Sequence, residues 1–400
     1  MSTREELISR PDKLIIAHLA DCHLRATQYG SKERGTYFYK GLVNAINKAY
    51  ESGAQIILCA GDLLDSNNPG PGVVMLQLRQ IDALLKSLDM PMLTIQGNHD
   101  NVTPSWLYQF EDPENTGIRP GICPIGNDPG GFVSYYSEGN PPLRIEGYHF
   151  IDNERFREII NSRPACLQPC PEILMWHGEL KEFCGYPKEE AISIREFPSD
   201  SWKLVAMGDQ HIHKHIIRDT DGMIISYPGS TEMCSESEET EKSMKFYEWS
   251  SDGKQWHLDK IYSVPFSTQK VLRAAITTQE ELLDILNTLN TEQDPVLAYV
   301  RYDKRIPDIV GQLTDAAKSG SHILRLTPMM PDRPDMNALS RESVIKGPSE
   351  FFEEHDEELI EDIDTRRRIS GLCKSMLDPR TDHRDVLNKY CEERINIITI

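Results

Sequence analysis

Residues 13–23 read Lys-Leu-Ile-Ile-Ala-His-Leu-Ala-Asp-Cys-His, a short β-rich apolar run that stops at Asp21 and reaches His23 two places later. The arrangement returns twice. Ala54 to Ala60 ends at Gly61-Asp62, and Pro91 to Gln96 ends at Gly97-Asn98. A short run of apolar residues without polar alternation is the pattern of a strand buried on both faces. Between the runs, Gly41 to Ser52 carries Leu42, Ala45, Ile46 and Ala49 on one helical face, and Val73 to Leu88 has a similar stripe. Strands alternating with helices predict βαβ units, a mostly parallel sheet and an α/β fold. Ligands of such sheets gather beyond the carboxyl ends of the strands, where Asp21, Asp62 and Asn98 fall.

Further along, residues 111–145 are rich in Pro, Gly and Asn and read as an irregular surface excursion. Strands are expected again at Leu143-Arg144-Ile145, Ile173 to Trp176 and Trp202 to Met207, with Met223 to Tyr227 and Lys245 to Glu248 closing the sheet. From about Gln269 to Leu326 the pattern becomes strand, helix, strand, helix, strand, a small α+β domain. Pro328 to Pro348 holds four prolines and reads as a linker. Ser349 to Ile400 is expected to be helical, with Ser349 as N-cap and Asp378-Pro379 as a break. The expected division is therefore 1–265, 266–328, a linker over 329–348 and a helical tail over 349–400.

Bulk composition narrows the class. Hydrophobic residues make up 39% and charged residues 26% of the 400, ordinary for a soluble globular chain. No apolar run approaches the roughly 20 residues a membrane span needs, and the N-terminus lacks a signal-peptide core. The nine cysteines form no C-x-x-C pair and read as reduced thiols, so a cytoplasmic protein is expected. The formal net charge of −20 argues against a nonspecific polyanion binder. Part of the excess is local, because Glu350 to Asp364 holds nine carboxylates and no Lys or Arg.

Two later motifs join the first three: Trp176-His177-Gly178 and His211-Ile212-His213. A pair of divalent ions roughly 3.5–4 Å apart needs a bridging ligand, and a carboxylate suits that best. Asp62 is the candidate bridge. Asp21, His23 and His213 would complete one ion, and Asn98, His177 and His211 the other. Mixed imidazole, carboxylate and carbonyl donors suit Mn²⁺, Fe²⁺ or Zn²⁺ better than Ca²⁺ or Mg²⁺. His99 would face substrate and protonate the leaving oxygen or stabilise developing charge. Asp100 is expected to hold the His99 ring from behind, and Asp65 to orient groups near Asp62. Cys22 reads as a strand-end filler, His18 and His149 as packing histidines and His215 as solvated. Any one motif alone is an ordinary turn sequence; five in this order, each after a strand, are not.

The order Asp-x-His, Gly-Asp-x-x-Asp, Gly-Asn-His-Asp, His and His-x-His resembles the calcineurin-like metallophosphoesterases. Within them, Asp21-Cys22-His23-Leu24, Gly61 to Pro69 and Ile95 to Asp100 are similar to the SbcD family, the nuclease subunit of the SbcCD complex. Tyr227-Pro228-Gly229-Ser230-Thr231-Glu232 matches that family's Tyr-Pro-Gly-Ser segment. The motifs span residues 13 to about 235. The resemblance implies a four-layer α/β/β/α metallophosphoesterase sandwich with a small α+β capping domain. It also implies a manganese-dependent DNA nuclease acting with an SbcC-like ATPase, whose coiled-coil base residues 349–400 would bind, and a homodimer. Where the family has Gly-His-x-His, this chain has Gly208-Asp209-Gln210-His211-Ile212-His213. The paired role then belongs to His211 and His213, which follow the family text more closely, or to Asp209 and His211. Near the motifs, the local bases for DNA are Arg25, Lys32, Arg34, Lys40, Lys181 and Lys214.

The leading expectation is thus an SbcD-like exonuclease or endonuclease using two divalent metals. One alternative is a phosphoesterase of small phosphomonoesters or phosphodiesters. The other is a non-catalytic scaffold with a structural metal site, against which the intact His99 argues.

Overall fold

The apolar runs that open the chain become strands whose residues alternate between two cores. The structure, a computed structural model, describes residues 10–69, 72–103, 105–110, 117–125, 131–162, 172–184, 191–199 and 202–329. Strand β1 (Lys13–Leu19) pairs in parallel with β2 (Ile56–Ala60), which pairs with β3 (Pro91–Ile95), then β4 (Gly121–Pro124). On the other side of β1 lie β11 (Lys242–Ser251) and β12 (Trp256–Phe266), both antiparallel. The second sheet has the order β5 (Gly131–Tyr135), β6 (Leu143–Gly147), β7 (Ile173–His177), β8 (Leu204–Gly208), β10 (Ile224–Tyr227) and β9 (Lys214–Ile217).

Side chains of a strand point alternately to its two faces. Leu14, Ile16, Ile56, Leu58, Leu93 and Ile95 of the first sheet meet Ile145, Ile173, Met175, Leu204 and Ala206 of the second in one buried cluster. Their neighbours Ile15, Ala17, Leu19, Ile57 and Cys59 face the other way, onto helices α1 (Lys32–Glu51) and α2 (Val73–Ser87). On the far side, Leu174, Trp176, Val205 and Met207 pack with Phe156 and Ile160 of α3 (Asn153–Ser162). The result is the four-layer α/β/β/α sandwich.

Helix α1 starts nine residues before the apolar stripe suggests. Ser31 caps it, accepting from the Arg34 amide at 3.1 Å. The stripe is interrupted because Arg34 is itself buried on that face. Its guanidinium pairs with Glu232 at 3.2 Å and donates to Gln28 Oε1 at 2.8 Å, to Gln269 Oε1 at 2.9 Å and to the Met233 carbonyl. Arg34 therefore faces away from solvent and is not a DNA contact. Removing one member of a buried ion pair leaves the other uncompensated. Arg34→Leu is expected to lower unfolding free energy by about 3–5 kcal/mol, measured by urea denaturation.

The excursion over 111–145 contains more order than its composition suggests, since β4, β5 and the start of β6 lie within it. Strands β4 and β5 are short edge strands, where Gly and Pro are tolerated. β12 and α3 were also not anticipated. β12 is an edge strand with largely exposed or half-buried side chains, so it lacks an apolar run.

A third, three-stranded parallel sheet consists of β13 (Val271–Ile276), β14 (Leu297–Tyr302) and β15 (Ile323–Pro328), with α4 (Gln279–Thr291) and α5 (Ile309–Ser319). A capping box of Thr278 and Glu281 starts α4. Leu297, Tyr299 and Ile323 of this sheet pack with Met233, and Tyr37 joins them from α1. The linker and helical tail expected over 329–400 lie, but for residue 329, outside the described residues. No helix among the described residues is long and apolar enough to cross a membrane.

Candidate metal centre

The carboxyl ends of β1, β2, β3, β7 and β8 converge on one cluster. Its backbone is unusual before any side chain is considered. Asp21, His23, Asp62 and Asp209 have φ of 53°, 46°, 52° and 98°, in the left-handed region that costs non-glycine residues roughly 1–3 kcal/mol each. Such strain persists where the surroundings over-determine it. Here the Asp21 amide is held by the Gly61 carbonyl at 3.1 Å and the His23 amide by the Asp62 carbonyl at 2.9 Å. Glycines make room for this closeness. A Cβ on Gly61 would strike the His177 ring, and one on Gly97 would strike the Asp62 carboxylate.

Asp62 sits centrally. Its Oδ2 is 3.6 Å from His23 Nε2 and 3.6 Å from His177 Nε2, while its Oδ1 accepts from the His99 amide at 2.9 Å. His177 Nδ1 donates to the Ala60 carbonyl at 2.8 Å, so its Nε2 is the lone-pair nitrogen, 3.0 Å from Asn98 Oδ1 and 3.7 Å from Asp209 Oδ1. Stacking of Trp176 on Phe156, with centroids 4.0 Å apart, fixes the end of that strand. On the other side, His23 Nε2 and His211 Nε2 are 3.1 Å apart. His211 Nδ1 donates to Glu238 Oε1 at 2.9 Å. Glu238 in turn accepts from Ser230 Oγ at 2.7 Å and Lys242 Nζ at 2.8 Å.

The late motif departs from the expectation for His213. Its Nδ1 donates to the Pro228 carbonyl at 2.7 Å and its Nε2 lies 2.7 Å from Ser263 Oγ, so the structure does not bring His213 to the cluster. The last turn of chain places Asp209 there instead, with its amide on Asp21 Oδ1 at 3.0 Å. Asp100 also differs from expectation. Its buried carboxylate accepts from the Gly97 amide at 2.6 Å and the Leu64 amide at 3.1 Å, locking two loops together, and does not back the His99 ring. That ring's Nδ1 meets the Asp65 carbonyl at 3.1 Å, and His99 is half-exposed at the rim. Asp65 also lies 3.4 Å from His23 Nδ1 and pairs with Arg25 at 2.6 Å. Cys22 belongs to the core beneath, its Sγ 4.0 Å from that of Cys59.

The electrostatics describe a site short of positive charge. Burial, then the neighbouring Asp100 and Asp21, pushes Asp62 up to about 9. Burial raises Asp21 to about 7, against the pull of His211. Burial drives His177 down to about 3 and His23 down to about 4. His211 goes the other way, to about 11: burial opposes the proton, but Cys234 and Glu238 more than offset it. Asp21 Oδ2 is buried without a hydrogen-bond partner. Packed carboxylates and imidazole lone pairs fit divalent cations, whose charge removes the cost of ionising such carboxyls. Two sets of donors lie within 4.8 Å of one another around Asp62, one with His23 and His99 and one with Asp21 and His177.

Glu238 escaped sequence reading because it lies in a polar run, Ser-Glu-Ser-Glu-Glu-Thr, that reads as loop. A partner of a ligating histidine commonly matters 10–100-fold for metal affinity. Glu238→Gln is expected to weaken metal binding by about that factor, measured by competition with a chromophoric chelator. Beside the cluster opens a cleft of about 810 Å³ reached by Asn98, Phe150, Asp152, Arg157 and Asp209.

Comparison with known proteins agrees with this geometry. The profile of the calcineurin-like phosphoesterase family matches residues 14–213, which include every donor from Asp21 to His211. A DNA double-strand break repair protein Mre11 of Methanosarcina acetivorans is 30% identical over 242 residues, 60% of this chain and 37% of the relative. The Mre11 of Methanococcus maripaludis is 25% identical over 396 residues, 93% of this chain and 98% of the relative. An uncharacterized metallophosphoesterase, YhaO of Bacillus subtilis, is 24% identical over 231 residues, 55% of this chain and 53% of the relative. The chain thus spans little more than a third of the Methanosarcina protein but nearly the whole of the Methanococcus one.

Proposed function

The chain belongs to the calcineurin-like phosphoesterase family, and from that membership we propose a DNA nuclease of the SbcD and Mre11 kind. Two divalent ions, Mn²⁺ by preference, would be held by Asp21, His23, Asp62, Asn98, His177, Asp209 and His211. The observation that carries the reading is the position of Asp62, with one oxygen equidistant from His23 and His177. When bound, such ions polarise the phosphodiester and lower the pKa of water.

The chain's own residues supply the rest. His99 sits at the open rim with Nδ1–H on the Asp65 carbonyl, so its Nε2 faces outward and, in the doubly protonated ring, would give its proton to the leaving oxygen. Asp100 keeps the Asn98-His99 turn against the Asp62 loop, so positioning rather than proton transfer is its role. Tyr227, in the Tyr-Pro-Gly-Ser segment, donates to the Gly178 carbonyl at 2.8 Å and accepts from the Leu180 amide at 2.9 Å. It thereby holds the wall that follows His177. Lys32, Lys40, Lys181 and Lys214 remain exposed for phosphate contact.

A homodimer and an SbcC-like ATPase complete the proposal. Leu76 of α2, 58% exposed, lines an apolar groove with Met75, Val102 and Trp106, and an apolar patch of that kind marks an association surface. Degradation of linear DNA in Mn²⁺ tests the function. Absence of degradation both with and without the ATPase partner contradicts it.

A further inference from the structure

We infer that Cys234 supplies a sulfur donor to the ion held by His23 and His211, giving one of the two positions mixed thiolate and imidazole character. The inference rests on the metal site proposed above and adds a ligand to it. The donor atoms of His23, His211 and Cys234 all lie within 4.8 Å of one another.

Independent features point the same way. His211 Nδ1 is committed to Glu238, so its Nε2, 3.1 Å from His23 Nε2, is the nitrogen that would give up its proton and face an ion. His23 is buried and its other ring nitrogen faces the Asp65 carboxylate at 3.4 Å, which leaves Nε2 as the nitrogen turned toward His211. Two ring nitrogens so placed need a cation or a proton between them. Cys234 is fixed beside them by the same carboxylate that orients His211, because its amide donates to Glu238 Oε1 at 3.2 Å. The sulfur is buried and turned toward His211, whose ring it meets as a hydrogen-bond partner. It lies 3.6 Å from the Glu232 carbonyl and 4.0 Å from Arg25 Nη2. Burial pushes the Cys234 thiol up, with His211 and Arg25 pulling the other way, so it is the charge of a bound ion that would make the sulfur a thiolate. The thiol proton leaves to solvent when the ion binds.

A thiolate changes which ions the position prefers. Sulfur is a soft donor, so Zn²⁺, Fe²⁺ and Co²⁺ gain relative to the harder Mn²⁺. The paired cysteines Cys22 and Cys59 lie in the core cluster and offer no competing ligand.

Cobalt(II) gives the test, because the visible bands of Co²⁺ report any protein ligation and a near-ultraviolet charge-transfer band reports sulfur. The full chain loaded with Co²⁺ is expected to show both, and Cys234→Ser to lose the charge-transfer band while keeping the visible bands and the bound cobalt. Visible bands without a charge-transfer band, or a charge-transfer band that survives in Cys234→Ser, would overturn the assignment and leave the metal site standing. Failure to bind Co²⁺ at all would overturn both.

Discussion

Replacing His99 with alanine is expected to cut the rate of phosphodiester hydrolysis by about 10²–10⁴-fold, the contribution of a positioned acid, with both metals retained. The separation is possible because His99 acts through two different parts. Its backbone amide donates to Asp62 Oδ1 at 2.9 Å, a contact that alanine keeps. Its ring is half-exposed at the rim, where Nδ1 meets the Asp65 carbonyl and the ring lies edge-on to that of His23 with centroids 4.8 Å apart. Losing the ring therefore removes a proton donor while the Asp62 contact that shapes the donors beneath it is kept. Metal content by elemental analysis and single-turnover cleavage measure the two effects on the same sample. A variant that cleaves at the normal rate would take His99 out of the chemistry, and one that loses its metals would make its role structural.

Asp62→Asn has the opposite signature: metal binding is lost first. Asp62 is the carboxylate that both His23 and His177 face at 3.6 Å. Removing its charge removes the group best suited to share two cations. In the wild-type chain, metal at a hundred times its Kd adds about 2.7 kcal/mol to stability. At roughly 2–4 °C per kcal/mol for a domain of this size, that is a rise in Tm of several degrees. The variant is expected to show no such rise. Without metal it should be no less stable than the wild type, because burial and the neighbouring Asp100 and Asp21 already hold the Asp62 carboxyl up near 9, protonated at neutral pH. Calorimetry with and without Mn²⁺ reads both points.

Much of this site is legible in the chain because strand ends carry it. Each apolar run stops where a sheet stops, so the residues at or just beyond that stop, His177, Asp21, Asp62 and Asn98, lie at the carboxyl ends of the strands. The same logic contained a signal for Asp209 that the His-Ile-His text obscured. Gly61-Asp62, Gly97-Asn98 and Gly208-Asp209 all place a donor directly after a glycine at a strand end. His213 is drawn away because Pro228 and Ser263 meet both its ring nitrogens, and no local pattern announces partners 15 and 50 residues distant. Asp100 differs from the sequence expectation for a related reason. A carboxylate next to a catalytic histidine can hold the ring or hold the loop, and only the three-dimensional path of the Leu64 and Gly97 amides decides. Arg34 shows the same limit within a helix: a basic residue beside motifs reads as a phosphate contact until Glu232 and Gln269 close over it.

The activity proposed for this site is hydrolysis of the DNA backbone. The most direct test compares the manganese-loaded chain on linear DNA and on a chromogenic phosphodiester under one set of conditions. Hydrolysis of DNA that disappears in both His99→Ala and Asp62→Asn is the predicted result. Turnover of the small ester with DNA left intact would contradict the account and make the chain a small-molecule phosphoesterase.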